Sequence, residues 1–151
     1  MAGIDLFVYG TLQDVEILGA ALGRSIKPQA LLPATAPSYA AVYYPGRVYP
    51  ALIARSGAAA SGKLMTGLDA HDLAVLDAFE GSEYRREAIS IRTGEQTISA
   101  QTYLPTIVIP PDAPDWTLAG WIRDHRPAVL TAEAGLAKDL RARMARQVKT
   151  D

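Results

Sequence analysis

Cysteine is absent from the 151 residues. That excludes disulfides, thiolate nucleophiles and cysteine-ligated zinc. Histidine is scarce: only His71 and His125 occur, distant from each other and without a carboxylate at metal-binding spacing. No metal site is therefore expected, and each histidine reads as an ordinary surface or partly packed residue. No apolar run approaches the ~20 residues of a membrane-spanning helix. The N-terminus lacks a basic stretch followed by an apolar one, so no signal peptide is expected and a cytoplasmic location is the default. An excess of one charge is missing too. Lys and Arg number 15 against 16 Asp and Glu, for a formal net charge of −1 and a pI of about 6.1. Without a broad basic field, nucleic acid is a poor candidate partner. No serine sits in a Gly-x-Ser-x-Gly elbow. Neither a P-loop nor a three-glycine dinucleotide fingerprint is present.

What is there suits a globular chain. Apolar residues make up 49% and charged residues 21%, and this length buries roughly two thirds of the unfolded surface. No linker, repeat or low-complexity tract interrupts it, so residues 1–151 read as one domain. Leu6 to Tyr9 reads as a buried strand closed by Gly10. Asp14 caps a helix carried by Val15, Leu18 and Leu22 up to Gly23. Ala30 to Leu32 and Tyr39 to Tyr44 are expected strands, separated by Pro33 and Pro37. Ala51 to Ala54 is a short apolar segment. The small, polar Ser56 to Ser61 run reads as a hairpin loop, with Lys63 to Leu68 as its return strand.

Asp69 caps the best-defined helix, which stops at Gly81. Arg85 to Arg92 and Thr97 to Leu104 read as strands joined by the Thr93-Gly94-Glu95 turn. A proline-rich loop follows, from Pro105 to Pro114, then helices over Trp116 to His125 and Thr131 to Val148. The basic run from Lys138 to Lys149 reads as the solvated face of the last. Strands and helices do not alternate regularly, so a doubly wound sheet is not expected. An α/β protein of the α+β type fits better: a small mixed or antiparallel sheet, curled towards a barrel, with helices packed around it.

Two features suggest chemistry. Gly10 lies between a strand and a helix, where backbone N–H groups can point at one anion. Glu80 lies on the apolar face of its own helix. With Leu73 at zero on a helical wheel, Leu76 falls at about 300° and Glu80 at about 340°. Desolvation there and the negative end of the helix dipole both disfavour the charged form, so a raised pKa is expected. That is what a general acid–base group needs. Glu83 and Glu87 do not share the position. Two other readings remain: Glu80 could fray into solvent or pair with Arg85 or Arg86. Asp77, at about 40°, is the rival carboxylate and could instead hold a turn. Tyr9, Tyr39, Tyr43, Tyr44, Tyr49, Tyr84 and Tyr103 read mostly as core with satisfied hydroxyls. Tyr84 and Tyr103 could also line a pocket. Together these features suggest a small metal-free enzyme acting on a polar substrate.

Several stretches, in this order and spacing, resemble the gamma-glutamylcyclotransferase-like family in its AIG2-like branch. They are Phe7-Val8-Tyr9-Gly10-Thr11-Leu12, Leu22-Gly23-Arg24, Tyr49-Pro50-Ala51-Leu52 and Leu76-Asp77-Ala78-Phe79-Glu80-Gly81. Tyr84, Arg86, Ala100 to Tyr103 and Trp116 to Trp121 complete the likeness. The resemblance implies a mixed α/β fold around a small barrel, with a cavity floored by the Tyr9 to Leu12 loop. It implies cyclisation of a small gamma-glutamyl compound to 5-oxoproline and a free amine, without cofactor or metal. Glu80 would be the catalytic acid–base. Tyr9, Gly10, Thr11 and Leu12 would bind substrate, with Tyr103 as a hydrogen-bond partner. The alternative is a non-catalytic small-molecule or partner-binding protein that keeps the same pocket.

Overall fold

Residues 3–128 are described by a computed structural model. The helix expected over 131–148 and the basic run over 138–149 lie outside them. The described chain forms β1 (Ile4–Val8), α1 (Val15–Leu22), β2 (Leu31–Tyr43) and β3 (Pro50–Leu68). After these come α2 (Ala70–Glu80), β4 (Tyr84–Thr93), β5 (Gln96–Pro105) and α3 (Leu118–Asp124). The strands close into a barrel in the order β1-β3-β2-β4-β5. Closure comes from a parallel contact of β1 with β5 at Leu6 and Gln101; the other neighbours pair antiparallel. This is the mixed, barrel-like α+β architecture expected from the sequence. Among the described residues, no helix is long and apolar enough to cross a membrane.

β1 explains why its sequence is apolar without alternation. Phe7 and Tyr9 pack with residues from the other four strands, inside the barrel. Leu6 and Val8 point the other way, into a layer formed with α1, α2 and α3. A strand buried on both faces reads as a continuous apolar run. The barrel interior is narrow and uses small side chains, among them Ala34, Ala36, Ala60 and Ala100. Gly62 belongs to this fit: a Cβ there would lie 2.7 Å from the Phe7 ring and 2.5 Å from the Val8 carbonyl oxygen.

Two expectations fail in β2 and β3. The pieces separated by Pro33 and Pro37 form one 13-residue strand. β2 bonds along its length to β3, but to β4 only at Thr35 opposite Arg92. A strand flank without a continuous partner has few ladder bonds for a proline to remove. Likewise Ser56 to Ser61 is not a hairpin loop but part of a 19-residue strand. The partner of β3 is β2, not itself. The local turn composition is absorbed as an irregularity, where Pro37 faces Ala59 but Tyr39 already faces Ala54. Ser38, at φ 65°, and Gly57, at φ 80°, take the left-handed backbone there. Cross-strand pairing overrides local propensity. A smaller difference is that Trp116 precedes α3, whose cap is Thr117.

The helix ends follow their caps. Asp14 accepts from the Glu16 and Ile17 N–H groups, and Gly23 closes α1 at φ 78°. Asp69 and Asp72 form a reciprocal capping box on α2. Asp72 also takes a two-pronged contact from Arg24, at 2.8 and 3.2 Å, which ties the end of α1 to the start of α2. The Arg24 hydrogen bond holds the Asp72 carboxyl below its ordinary value, against the opposing effect of burial. A depressed pKa stabilises the fold above the unfolded carboxylate value of ~3.9 and ceases to do so as pH falls through the folded value. Arg24→Ala should therefore cost about 1 kcal/mol at neutral pH, allowing for its half-exposed guanidinium. It should also flatten the loss of stability below about pH 4. Urea unfolding across pH measures both effects, and an unchanged acid limb would deny the pair its role.

Candidate active site

One cavity of ≈ 200 Å³ opens between β1, the turn after it and the end of α2. That is smaller than the roughly 300–1,000 Å³ of drug-sized sites, so it suits a small polar head group. Its position follows from three local signals. β1 stops at Val8 and a 3₁₀ turn, Thr11–Gln13, starts after Gly10. Gly10 comes so close to Pro50 that a Cβ would lie 2.9 Å from its ring. Across the cavity, α2 brings Glu80 to its last turn, and Gly81 at φ 72° redirects the chain.

The cavity brings together Tyr9, Gly10, Thr11, Leu12, Glu80 and Tyr103, all six residues singled out in the sequence. The wheel placement is matched: Leu73 and Leu76 are buried and Glu80 is half-buried. Leu12 sends its side chain into the helical core, so the group it offers the cavity is its backbone. The first N–H groups of the short turn have no partner within it. The rival Asp77 is engaged structurally, since it pairs with Arg86 at 2.9 Å and accepts from the Tyr103 hydroxyl at 2.7 Å. Arg85 pairs with Glu87.

The phenols are fixed by protein acceptors. Tyr9 donates to the Tyr103 carbonyl, Tyr103 to Asp77, and Tyr84 to the Pro50 carbonyl at 2.6 Å. Burial pushes all three phenols above their ordinary value, with the negative charge of Glu80 adding to it in each case. Each therefore stays neutral, and Glu80 lies within electrostatic reach of all three. Since Tyr103 has one proton and gives it to Asp77, its oxygen can only accept from a ligand.

Glu83 is a cavity residue that the sequence reading sets aside. It lies on the 3₁₀ turn Gly81–Glu83 and lines the same cavity, beside Tyr49 and Tyr84. An α-helical wheel continued past Gly81 would put it at about 280°, on the same side as Glu80, but the helix ends at Gly81 and Glu83 belongs to the turn after it. The Tyr44, Tyr49 and Tyr84 rings pack together, with centroids 5.6–6.2 Å apart, and hold that wall. Tyr84 lines the pocket as the sequence allows; Tyr49 carried no signal beyond its place beside Pro50. The structure does not bring His71 or His125 to the cavity. Among the described residues, no group of three or more His, Cys, Asp or Glu could hold a metal ion.

A small closed barrel with a carboxylate across from a glycine turn defines a class of compact α+β proteins. A family model described as "Gamma-glutamyl cyclotransferase, AIG2-like" matches residues 6–121, and the chain belongs to that family. AIG2-like protein D of Arabidopsis thaliana is 31% identical over 142 residues, 89% of this chain and 90% of the relative. AIG2-like protein A of the same plant is 30% identical over 125 residues, 81% of this chain and 74% of the relative. A solution structure of an Arabidopsis thaliana protein aligns with a TM-score of 0.67 and 27% identity, over 87% of this chain and 89% of that one. A mouse AIG2-like protein aligns at 0.61 and 21% identity, over 76% and 86% of the two chains, a likeness of fold alone.

Proposed function

We propose that this protein is a gamma-glutamylcyclotransferase, with residues 1–151 acting as one domain. The observation that carries the reading is that Glu80 and the Tyr9–Leu12 turn share one small cavity. The reaction is intramolecular. The free α-amine of a gamma-glutamyl compound attacks its own γ-carbonyl carbon, and a C–N bond closes a five-membered ring. Glu80 takes the proton that the amine loses. The carbonyl oxygen becomes an oxyanion, which the N–H groups of Gly10, Thr11 or Leu12 stabilise. The oxyanion then re-forms its double bond, the original C–N bond breaks, and Glu80 returns its proton to the leaving nitrogen. The products are 5-oxoproline and a free amine.

Each part has a physical reason. Folding the substrate into a near-attack shape supplies much of the rate, since nucleophile and electrophile belong to one molecule. The Tyr103 and Tyr84 oxygens can accept from the substrate's amine and hold it facing the γ-carbonyl. One proton shuttle and one oxyanion site complete the requirement. The test is a 5-oxoproline release screen over unblocked gamma-glutamyl amines and dipeptides. Release from at least one compound supports the reading. Binding in the cavity across the panel without any product would make the non-catalytic binding protein the better account.

A further inference from the structure

The turn opposite Glu80 is held from outside as well as from within. Inside it, the Gln13 N–H donates to the Gly10 carbonyl at 3.1 Å and the Asp14 N–H to the Thr11 carbonyl at 3.0 Å. These two bonds close the 3₁₀ turn and leave the Thr11 and Leu12 N–H groups without a partner in it. The direction of those two groups therefore depends on where Gln13 and Asp14 are fixed. Asp14 is the residue that joins the two elements, since it ends the turn and caps α1.

Asp14 is gripped by a residue far along the chain. Its carboxylate is largely shielded from solvent and accepts from Nε and Nη2 of Arg126, besides the Glu16 and Ile17 N–H groups. The same Nη2 lies 3.1 Å from a Glu16 carboxylate oxygen. Arg126 follows α3, which is anchored by the fully buried Trp121 in the core cluster that also contains Leu12, Ile17 and Leu18. Capping α1 needs only the Asp14 oxygen. What the guanidinium adds is a charge-assisted contact of fixed direction to both oxygens. It also offsets a negative charge at the end of a turn whose N–H groups face a developing oxyanion, where an uncompensated carboxylate would oppose it.

We propose that Arg126 is a positioning residue for the active site: by holding Asp14, it fixes the Thr11 and Leu12 N–H groups in the direction that receives the oxyanion. This rests on the cyclotransferase reading. Arg126 lies beyond residues 6–121, the stretch that the family model matches, so membership of the family assigns it no role.

Arg126→Met tests it, since methionine keeps an apolar stem and removes the guanidinium. kcat for 5-oxoproline release should fall about tenfold or more, while KM changes by less than about threefold. Amide hydrogen exchange at Gln13 and Asp14 should quicken about fivefold or more, with β5 unmoved. Arg24→Ala removes a similar arginine–aspartate pair at the cap of α2. It controls for a merely structural loss and should leave kcat within about twofold. An unchanged kcat in Arg126→Met overturns the proposal, as does a loss carried by KM alone, unchanged exchange at the turn, or an equal kcat loss in Arg24→Ala. Should Arg126→Met not fold, Asp14→Asn decides on the same readings, because asparagine caps a helix as well as aspartate but gives up the charge pair. Should the wild-type protein turn over no compound, the exchange rates decide. Quickened exchange at Gln13 and Asp14 then keeps the hold of Arg126 on the turn while the cyclotransferase reading falls alone, and unchanged exchange removes both.

Discussion

Glu80→Gln should lower kcat for 5-oxoproline formation by about 100-fold or more while the fold persists. The exchange keeps size and shape but removes a group that can accept the amine's proton and return it to the leaving nitrogen. Both proton transfers pass through the same carboxylate, so both halves of the reaction should suffer. Binding of the glutamyl head depends on other groups, so KM should change far less than kcat. Asp77→Asn is the informative control. Asp77 reaches the cavity only through the Tyr103 hydroxyl, and its loss should cost less than about tenfold. Circular dichroism and thermal unfolding establish that the variants are folded. An unchanged kcat in Glu80→Gln would end its assignment, and an equal loss in Asp77→Asn would point to the rival carboxylate.

The parts of this fold that were legible in the sequence are those with local causes. Asp14 and Asp69 cap helices because a carboxylate one residue before the first turn meets free N–H groups. Gly23, Gly81 and Gly94 stop or turn the chain where positive φ is needed. Glu80 could be placed because the helix that carries it is regular up to its own position. The illegible parts have causes elsewhere in the chain. Ser56 to Ser61 looks like a loop until β2 is laid beside it. Pro33 and Pro37 look like breaks until it is known that the β4 side of β2 is almost unpaired.

Glu83 shows the same limit at the site. It lines the cavity from the 3₁₀ turn that begins one residue after Glu80. A wheel continued across that junction would put it near Glu80, at about 280°, but the helix stop at Gly81 removes the reason to continue it. Similarly, the sequence suggests that Tyr103 could meet a ligand, but not that its proton is given to Asp77. That assignment depends on Arg86 and Asp77 meeting from β4 and α2, and it leaves the Tyr103 oxygen an acceptor rather than a donor.

An N-acetylated gamma-glutamyl compound should bind, if it fits, and never turn over, whereas its unblocked parent should release 5-oxoproline and a free amine. Acetylation converts the α-amine into an amide whose nitrogen lone pair is delocalised into the new carbonyl. The nucleophile is lost while the γ-carbonyl and its leaving group stay as they were. The contrast separates cyclisation from ordinary hydrolysis. If Glu80 instead activated water against the γ-carbonyl, the blocked compound would still lose its amine and yield N-acetylglutamate. Detection of that product would therefore replace the proposed chemistry with an amidase reaction in the same cavity. Turnover of the parent should also continue in chelator, because the carboxylate and the turn amides supply both the proton transfer and the charge stabilisation. Activity that chelator abolishes and a divalent ion restores would assign the carbonyl's polarisation to a metal, with His71 and His125 as the first side chains to replace. Release of 5-oxoproline from the parent, with the blocked compound bound but inert, is the result that requires an internal amine nucleophile; free glutamate from the parent would again mean hydrolysis.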